Sequence, residues 1–201
     1  MHASAKLKIA ITGNIGAGKS LACEYLINKG YKVLFADIIA KKIMSSDIHV
    51  ISQIKENFGE KSYTEGELNT AYLADEVFSD PSNVALINSI VHPVVIKEIQ
   101  TKFKRLLHTR NVVFVEAALI FEAGMENLFD YVLLIDADEQ VRFSRLQERN
   151  NMEYDDFRKI EDSQLPVEMK KEKSHFTIHN NGTPEALTAE LDLILNKILP
   201  K

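Results

Sequence analysis

A glycine-rich stretch near the start of the chain, GNIGAGKS at residues 13–20, has the residue types and spacing of a loop that binds the phosphates of a nucleoside triphosphate. Its glycines permit backbone conformations closed to other residues, so that successive N–H groups can point at phosphate. The Lys19 ammonium can reach the β- and γ-phosphates, and the Ser20 hydroxyl can bind Mg²⁺. The predicted contacts with the nucleotide are made by Asn14, Ile15, Gly16, Ala17, Gly18, Lys19 and Ser20.

Two carboxylates are candidates for a magnesium site beside this loop. Glu116 follows the apolar run VVFV, and Asp136 follows VLLI. Kinases that use such loops commonly hold Mg²⁺ with a carboxylate at the end of a neighbouring strand. We prefer Glu116, because its strand is the better candidate to lie next to the phosphate loop. The alternative is that either residue is a solvated acid at a strand end.

A third acid, Asp37 in the stretch FADIIAKKI, lies at the end of another predicted strand. Ligands of open parallel sheets bind beyond the carboxyl ends of the strands. A carboxylate there can orient an attacking hydroxyl and accept its proton. The alternative role is that of an N-cap for the helix predicted over IIAKKIM, and the two roles are compatible.

Short apolar runs alternate with longer segments of helical period, which predicts an α/β protein with a mainly parallel sheet. The glycine-rich loop has the required context, with an apolar strand before it and a helix over 19–30 that closes on Gly30. The last helix, over 184–199, is predicted to begin after Thr183 as N-cap. The five predicted strands are 7–12, 32–36, 112–117, 131–137 and 176–180.

Composition limits the function classes. The chain has 201 residues, a formal net charge of −5 and one cysteine, Cys23, so no internal disulfide can form. No basic block favours nucleic acid, and neither the start MHASAKLK nor any later run has the apolar length of a secretory signal or a membrane span. We expect a cytoplasmic protein that binds neither nucleic acid nor membrane, as a monomer or weak homo-oligomer.

Six short stretches follow one another along nearly the whole chain: TGNIGAGKS, FADIIA, INSIVHPVV, EAALIFE, RLQER and HNNG. In this order they resemble the motifs of the dephospho-coenzyme A kinase family. The resemblance implies transfer of the γ-phosphate of ATP, with Mg²⁺, to the 3′-hydroxyl of dephospho-CoA, which completes coenzyme A synthesis. It implies that Asp37 engages the acceptor hydroxyl, and that His92 lies in the helical insertion over the acceptor. The first acid of the family's DAD motif is Phe35 here, and Glu116 replaces an aspartate.

The same resemblance assigns roles near the end of the chain. Arg145 and Arg149 match the family's RLxxR, where guanidinium groups suit a lid that closes on ATP phosphates; Arg149 is the predicted catalytic arginine. Arg142 can share their helix face, with a surface charge run as the alternative for all three. Where relatives carry an arginine four residues before Gln164, this chain has Ile160. The HNNG stretch predicts nucleotide contacts from Asn180, Asn181 and Gly182, or else a plain turn.

The fold implied is a three-layer α/β/α P-loop kinase with a five-stranded parallel sheet. We predict one unit over 1–201, with a core at about 1–45, 110–137 and 175–201, a helical acceptor-binding insertion at about 46–109 and a lid at about 138–174. Two alternatives stay open: a kinase of this fold for a nucleotide or another small alcohol, and a nucleotide-dependent switch. A guanine-specific switch should carry an N/T-K-x-D motif, which is absent from the sequence.

Overall fold

A computed structural model describes residues 6–199 of the chain. Residues 1–5 and 200–201, which belong to the predicted start and end of the core, lie outside the described residues. The strands are β1 (Leu7–Thr12), β2 (Lys32–Phe35), β3 (Tyr63–Thr64), β4 (Glu67–Leu68), β5 (Val112–Glu116), β6 (Tyr131–Asp136) and β7 (Phe176–His179). The helices are α1 (Lys19–Asn28), α2 (Ala36–Ser46), α3 (Ile48–Phe58), α4 (Thr70–Phe78), α5 (Pro81–Leu106), α6 (Glu139–Asn150), α7 (Tyr154–Asp162), α8 (Val167–Lys173) and α9 (Pro184–Ile198).

Five strands form the main sheet in the order β2-β5-β1-β6-β7. β1 pairs in parallel with both β5 and β6, and β6 pairs in parallel with β7. β1 and the two strands beside it, β5 and β6, are nearly continuous apolar runs, as expected for parallel strands buried on both faces. Ile9, Phe114 and Leu133 in these strands are fully buried. The predicted five-stranded parallel sheet with flanking helices is confirmed.

The predicted strands end within one residue of the observed ones. Gly30 follows the C-cap of α1 with φ +86°, so it ends this helix as predicted. Thr183 is the N-cap of α9, and its hydroxyl accepts a hydrogen bond from the N–H of Ala186 at 3.4 Å. These signals are local, because each depends on one residue next to a helix end.

The chain divides into two compact units, one of residues up to 34 and from 103 onward, and the other of residues 35–102. The second unit holds α2, α3, α4, most of α5 and a two-stranded hairpin of β3 and β4, which the sequence analysis did not predict. The hairpin turns at Glu65 and Gly66, both with positive φ, as a two-residue hairpin turn requires. The predicted insertion began at about 46, whereas this unit also includes α2 and therefore Asp37.

The insertion at about 46–109 was predicted to be helical, and α5 runs within it without interruption from Pro81 to Leu106. Pro93, which follows His92, lies inside this helix. Within residues 6–199, no helix is both long enough and apolar enough to cross a membrane.

Candidate active site

The glycine-rich loop joins the end of β1 to the start of α1, at the carboxyl end of the sheet. Gly16 and Gly18 have φ of +77° and +103°. A Cβ atom on Gly16 would lie 2.7 Å from the carbonyl oxygen of Arg142, and one on Gly18 would collide with the side-chain amide of Asn180. Both positions therefore require glycine, for backbone conformation and for close approach. This is the tight backbone path that a phosphate-binding loop needs.

Lys19 is the first residue of α1, and its side chain folds back over the loop. The Lys19 ammonium donates to the carbonyl oxygens of Gly13 at 2.7 Å and Asn14 at 3.3 Å. The next residue, Ser20, is exposed in the first turn of the same helix. The positive end of the α1 dipole thus lies beside an ammonium group and an accessible hydroxyl, which favours a bound anion.

The first half of the loop is held by side chains from the predicted lid. The Asn14 amide donates to Glu161 Oε1 at 3.0 Å, and the Ile15 N–H donates to Gln164 Oε1 at 3.0 Å. A further N–H, that of Ala17, donates to the Asn14 carbonyl at 3.2 Å. The N–H groups of Ile15 and Ala17 are predicted to contact phosphate. These two hydrogen bonds would have to open before they can do so.

The three arginines of α6 have different surroundings, although their spacing places them on one side of the helix. Arg142 is only 4% exposed and forms a bidentate ion pair with Glu161, at 2.6 and 2.8 Å. The surface alternative for Arg142 is therefore wrong. Arg145 is partly buried, and its Nη1 has no hydrogen-bond partner among the described residues. Arg149 lies exposed in the last turn.

Two cations close to Ile160 form ion pairs with acids of α6 and α7. Arg158 forms partly exposed ion pairs with Glu139 at 3.2 Å and Asp162 at 2.7 Å. Lys159 pairs with Asp156 at 2.8 Å on the surface. Arg142, in contrast, donates a hydrogen bond to the phosphate loop, at the Ile15 carbonyl, over 3.2 Å. Among the lid cations within residues 6–199, it is the one for which the structure gives such a bond.

The two acid candidates for Mg²⁺ both end strands that neighbour β1, and the structure separates their roles. Asp136 is 9% exposed and pairs with Lys171 at 3.1 Å and His179 at 3.5 Å. Glu116 is partly buried at the end of β5, close enough to Cys23 for its charge to raise the pKa of that thiol. Since Cys23 lies in α1, Glu116 is near the helix that starts with Lys19 and Ser20. The assignment of Glu116 to the magnesium site stays a prediction.

A second buried ion pair, which the sequence analysis did not single out, joins α8 to the segment after β5. Lys170 is fully buried, and its ammonium lies 3.0 Å from Glu122 Oε1 and 3.2 Å from the carbonyl oxygen of Ala118. The same carbonyl accepts a hydrogen bond from the hydroxyl of Thr12 at 3.3 Å. The pair thus links α8 to the segment after β5 and to the end of β1.

The HNNG stretch follows β7 and lies against the phosphate loop. Asn180 is 4% exposed and its amide donates to the Ala17 carbonyl at 2.8 Å, so its side chain supports the loop. Asn181 and Gly182 are exposed, and the Asn181 Oδ1 accepts from the N–H of Asp138 at 2.8 Å. The plain-turn alternative does not describe Asn180, because a residue 163 positions away in sequence binds its amide.

The predicted acceptor residues lie in the second compact unit. β2 ends at Phe35, which also has the N-cap position of α2, and Asp37 is exposed in the first turn of that helix. Asp37 is therefore not the N-cap, because Ala36 already has helical backbone. His92 is partly buried inside α5, next to Pro93.

A parallel sheet whose first strand leads through a G-x-x-x-x-G-K-S loop into a helix is the fold of P-loop proteins, which bind nucleoside triphosphates. The family model for dephospho-CoA kinases matches residues 7–185 of the chain. The chain belongs to the dephospho-CoA kinase family.

Individual relatives agree with this assignment. The dephospho-CoA kinase of Corynebacterium efficiens is 32% identical over 198 residues, which cover 97% of this chain and 98% of that protein. A crystal structure of a Thermus thermophilus protein superposes with a TM-score of 0.83 and 30% identity, covering 98% of this chain and 100% of the other. The dephospho-CoA kinase of Campylobacter jejuni superposes with a TM-score of 0.71 and 26% identity, covering 96% of each chain.

Proposed function

We propose that this chain phosphorylates the 3′-hydroxyl of dephospho-CoA with ATP and releases coenzyme A and ADP, the final step of coenzyme A synthesis. The observation that carries this proposal is the family match over residues 7–185, which includes both the phosphate loop and the Asp37 stretch. The chain is thus a kinase that takes ATP as co-substrate. In this proposal the core binds ATP, the helical insertion at about 46–109 binds the acceptor and the lid at about 138–174 closes on the ATP phosphates.

The phosphate loop binds the donor. Backbone N–H groups of the loop, together with the α1 dipole, attract the phosphates of ATP. Lys19 already lies over the loop, 2.7 Å from the Gly13 carbonyl, so a short movement of its ammonium brings it to the β- and γ-phosphates. Its charge stabilises the negative oxygens as the phosphoryl group transfers.

Asp37 aligns the acceptor and receives its proton. The carboxylate is exposed in the first turn of α2, where a hydroxyl can reach it. The 3′-oxygen then attacks the γ-phosphorus in line, its proton passes to Asp37, and the bond to the β-γ bridging oxygen breaks to give ADP. No phosphoenzyme forms. His92 contributes to acceptor binding from the insertion.

The lid arginines neutralise charge on the donor. Arg145 carries a buried guanidinium nitrogen that has no hydrogen-bond partner among residues 6–199, so a phosphate oxygen would satisfy it. Arg149, exposed at the end of α6, is the arginine that contacts the transferring phosphoryl group in this proposal. Asn181 and Gly182 contact the nucleotide from the turn after β7, while Asn180 supports the loop.

The Ser20 hydroxyl and Glu116 would hold Mg²⁺. Both offer hard oxygen atoms, and Mg²⁺ typically takes one or two protein oxygens and completes its shell with phosphate and water. The described residues contain no group of three or more His, Cys, Asp or Glu side chains placed to hold a metal. When bound, the ion neutralises phosphate charge.

The experiment is ADP release by the purified protein with ATP and Mg²⁺, measured with and without dephospho-CoA. Stimulation by dephospho-CoA, with coenzyme A as product, is the expected result. Stimulation only by another alcohol or nucleotide would favour a different kinase, and slow ADP release without any acceptor would favour a nucleotide-dependent switch. Either outcome contradicts the proposal.

We also infer a cytoplasmic protein that acts as a monomer or weak homo-oligomer on small molecules. The buried single thiol of Cys23 suits a reducing compartment, and the net charge of −5 does not favour nucleic acid or anionic membranes. Size-exclusion chromatography coupled to light scattering checks the oligomeric state.

A further inference from the structure

We propose that the buried Arg142–Glu161 ion pair is a positioning unit for the phosphate loop, which sets the affinity for ATP without either side chain touching the nucleotide. The inference rests on the proposed ATP-dependent function. It assigns a role to Arg142 different from that of Arg145 and Arg149, with which it shares a helix.

The hydrogen bonds of Arg142 commit it to the protein. Its Nε donates to the Ala137 carbonyl at 2.9 Å, and its Nη1 donates to Ile15 O at 3.2 Å and to Glu161 Oε2 at 2.6 Å. Its Nη2 donates to Glu161 Oε1 at 2.8 Å. The guanidinium also lies over the ring of Phe157, 5.5 Å from its centroid. A guanidinium held on so many sides has a fixed position and is not a ligand for phosphate.

Glu161 links this guanidinium to the loop from the other side. Its Oε1 accepts from the Asn14 amide at 3.0 Å as well as from Arg142. Three residues further along the chain, Gln164 Oε1 accepts a hydrogen bond from the Ile15 N–H at 3.0 Å. The ion pair therefore holds the Ile15 carbonyl and the Asn14 side chain, whereas the bond from the Ile15 N–H to Gln164 has to open before that N–H can contact phosphate.

Gly16, in the centre of the loop, packs on the same helix. The space beside Gly16 is filled by the backbone and Cβ of Arg142, 2.7 and 3.0 Å from where a Cβ would be. A movement of α6 is consequently transmitted to the centre of the loop. Since phosphate affinity depends on N–H groups that converge on one point, loosening this support should weaken ATP binding in particular.

The test compares Arg142→Gln and Glu161→Gln with Arg158→Gln as a matched control. Arg158 lies in α7, and its ion pairs are partly exposed and do not involve the loop. We expect the KM for ATP to rise about tenfold or more in the first two variants, the factor that one lost charge-assisted hydrogen bond produces. The KM for dephospho-CoA should stay within about twofold, and the control should change neither value.

A double variant separates positioning from folding. Replacing a buried ion pair by apolar side chains commonly preserves stability. Arg142→Met with Glu161→Leu should therefore unfold near the wild-type urea concentration and yet keep the raised KM for ATP. A wild-type KM for ATP in the double variant, or single variants that lose stability with an unchanged KM for ATP, would overturn the proposal.

Direct binding keeps this test independent of the reaction. Isothermal titration of Mg·ATP into the same variants should give the same loss of affinity. If the wild-type protein showed no turnover of dephospho-CoA, the proposed function would fail, while titration would still decide whether the ion pair sets ATP affinity.

Discussion

The side-chain amide of Asn180 donates a 2.8 Å hydrogen bond to the carbonyl of Ala17 inside the phosphate loop. Asn180 is 4% exposed, and its amide nitrogen is so close to Gly18 that a Cβ at that position would collide with it. The strand β7 and the glycine-rich loop are thus joined by one buried hydrogen bond. The tertiary structure gives Asn180 a supporting role in addition to the nucleotide contact predicted for its stretch.

Asn180→Ala should lower the free energy of unfolding by about 1–3 kcal/mol, because the buried Ala17 carbonyl loses its partner. Urea denaturation measures the change. The control is Asn57→Ala, which removes an exposed amide that donates to the Gln53 carbonyl at 2.8 Å, and a change within about 0.5 kcal/mol is expected there. Equal effects of the two substitutions would contradict the supporting role.

Asp37→Asn should lower kcat by about 10²-fold or more, because an amide cannot accept the proton of the attacking hydroxyl. Steady-state kinetics with dephospho-CoA measure this effect. Asp75→Asn, an exposed acid of α4 in the same compact unit, is the control and should keep wild-type kcat. Near wild-type turnover in Asp37→Asn would show that the role proposed for this carboxylate is wrong.

Glu116→Gln should raise the Mg²⁺ concentration for half-maximal activity by about tenfold, whereas Glu116→Asp should retain most of the affinity. The reason is that a neutral amide orders metal-bound water less well than a carboxylate does. Activity is titrated with Mg²⁺ after treatment with EDTA. Identical curves of activity against Mg²⁺ concentration for the wild type and Glu116→Gln would contradict the assignment of Glu116 to the magnesium site and would favour Asp136 instead.

The contribution of Glu161 to stability should depend on pH. Burial raises the pKa of this carboxyl, but hydrogen bonds from Arg142 and Asn14 outweigh burial and lower its pKa below the ordinary value of 4.5. Because the folded pKa is the lower one, the ionised pair stabilises the fold above about pH 4.5, and this stabilisation disappears as the pH falls through the folded pKa.

Urea denaturation of the wild type and of Glu161→Gln between pH 7 and pH 3 checks this prediction. The difference in free energy of unfolding should be constant at neutral pH and should shrink below about pH 4.5. A difference that does not change over this range would show that the pKa of Glu161 is not lowered.

Cys23 should resist thiol reagents in the folded protein. Burial, together with the nearby negative charge of Glu116, raises the pKa of this thiol to about 12, although Lys19 acts in the opposite direction. The reactive thiolate is therefore scarce at pH 8. Labelling with iodoacetamide should be slow in buffer and fast in urea, and rapid labelling of the folded protein would contradict the burial of Cys23.

Local sequence signals predicted most of the core. Strands such as β1 and β6 are continuous apolar runs, and Gly30 and Thr183 mark helix ends through interactions with their immediate neighbours. The hairpin of β3 and β4 was missed because two-residue strands have no measurable alternation. The Glu65–Gly66 pair, whose positive φ values form its turn, was the available signal.

Local sequence was enough to predict the chemistry: the types and spacing of the residues in GNIGAGKS predict a phosphate site, and the order of six short stretches indicates the family, which the family match confirms. The charged residues that support the structure became visible only in the folded chain. Arg142 and Arg158 both lie in charged helices, yet one is buried and the other partly exposed. Burial depends on partners distant in sequence, such as Ile15 for Arg142, and no local pattern records such a contact.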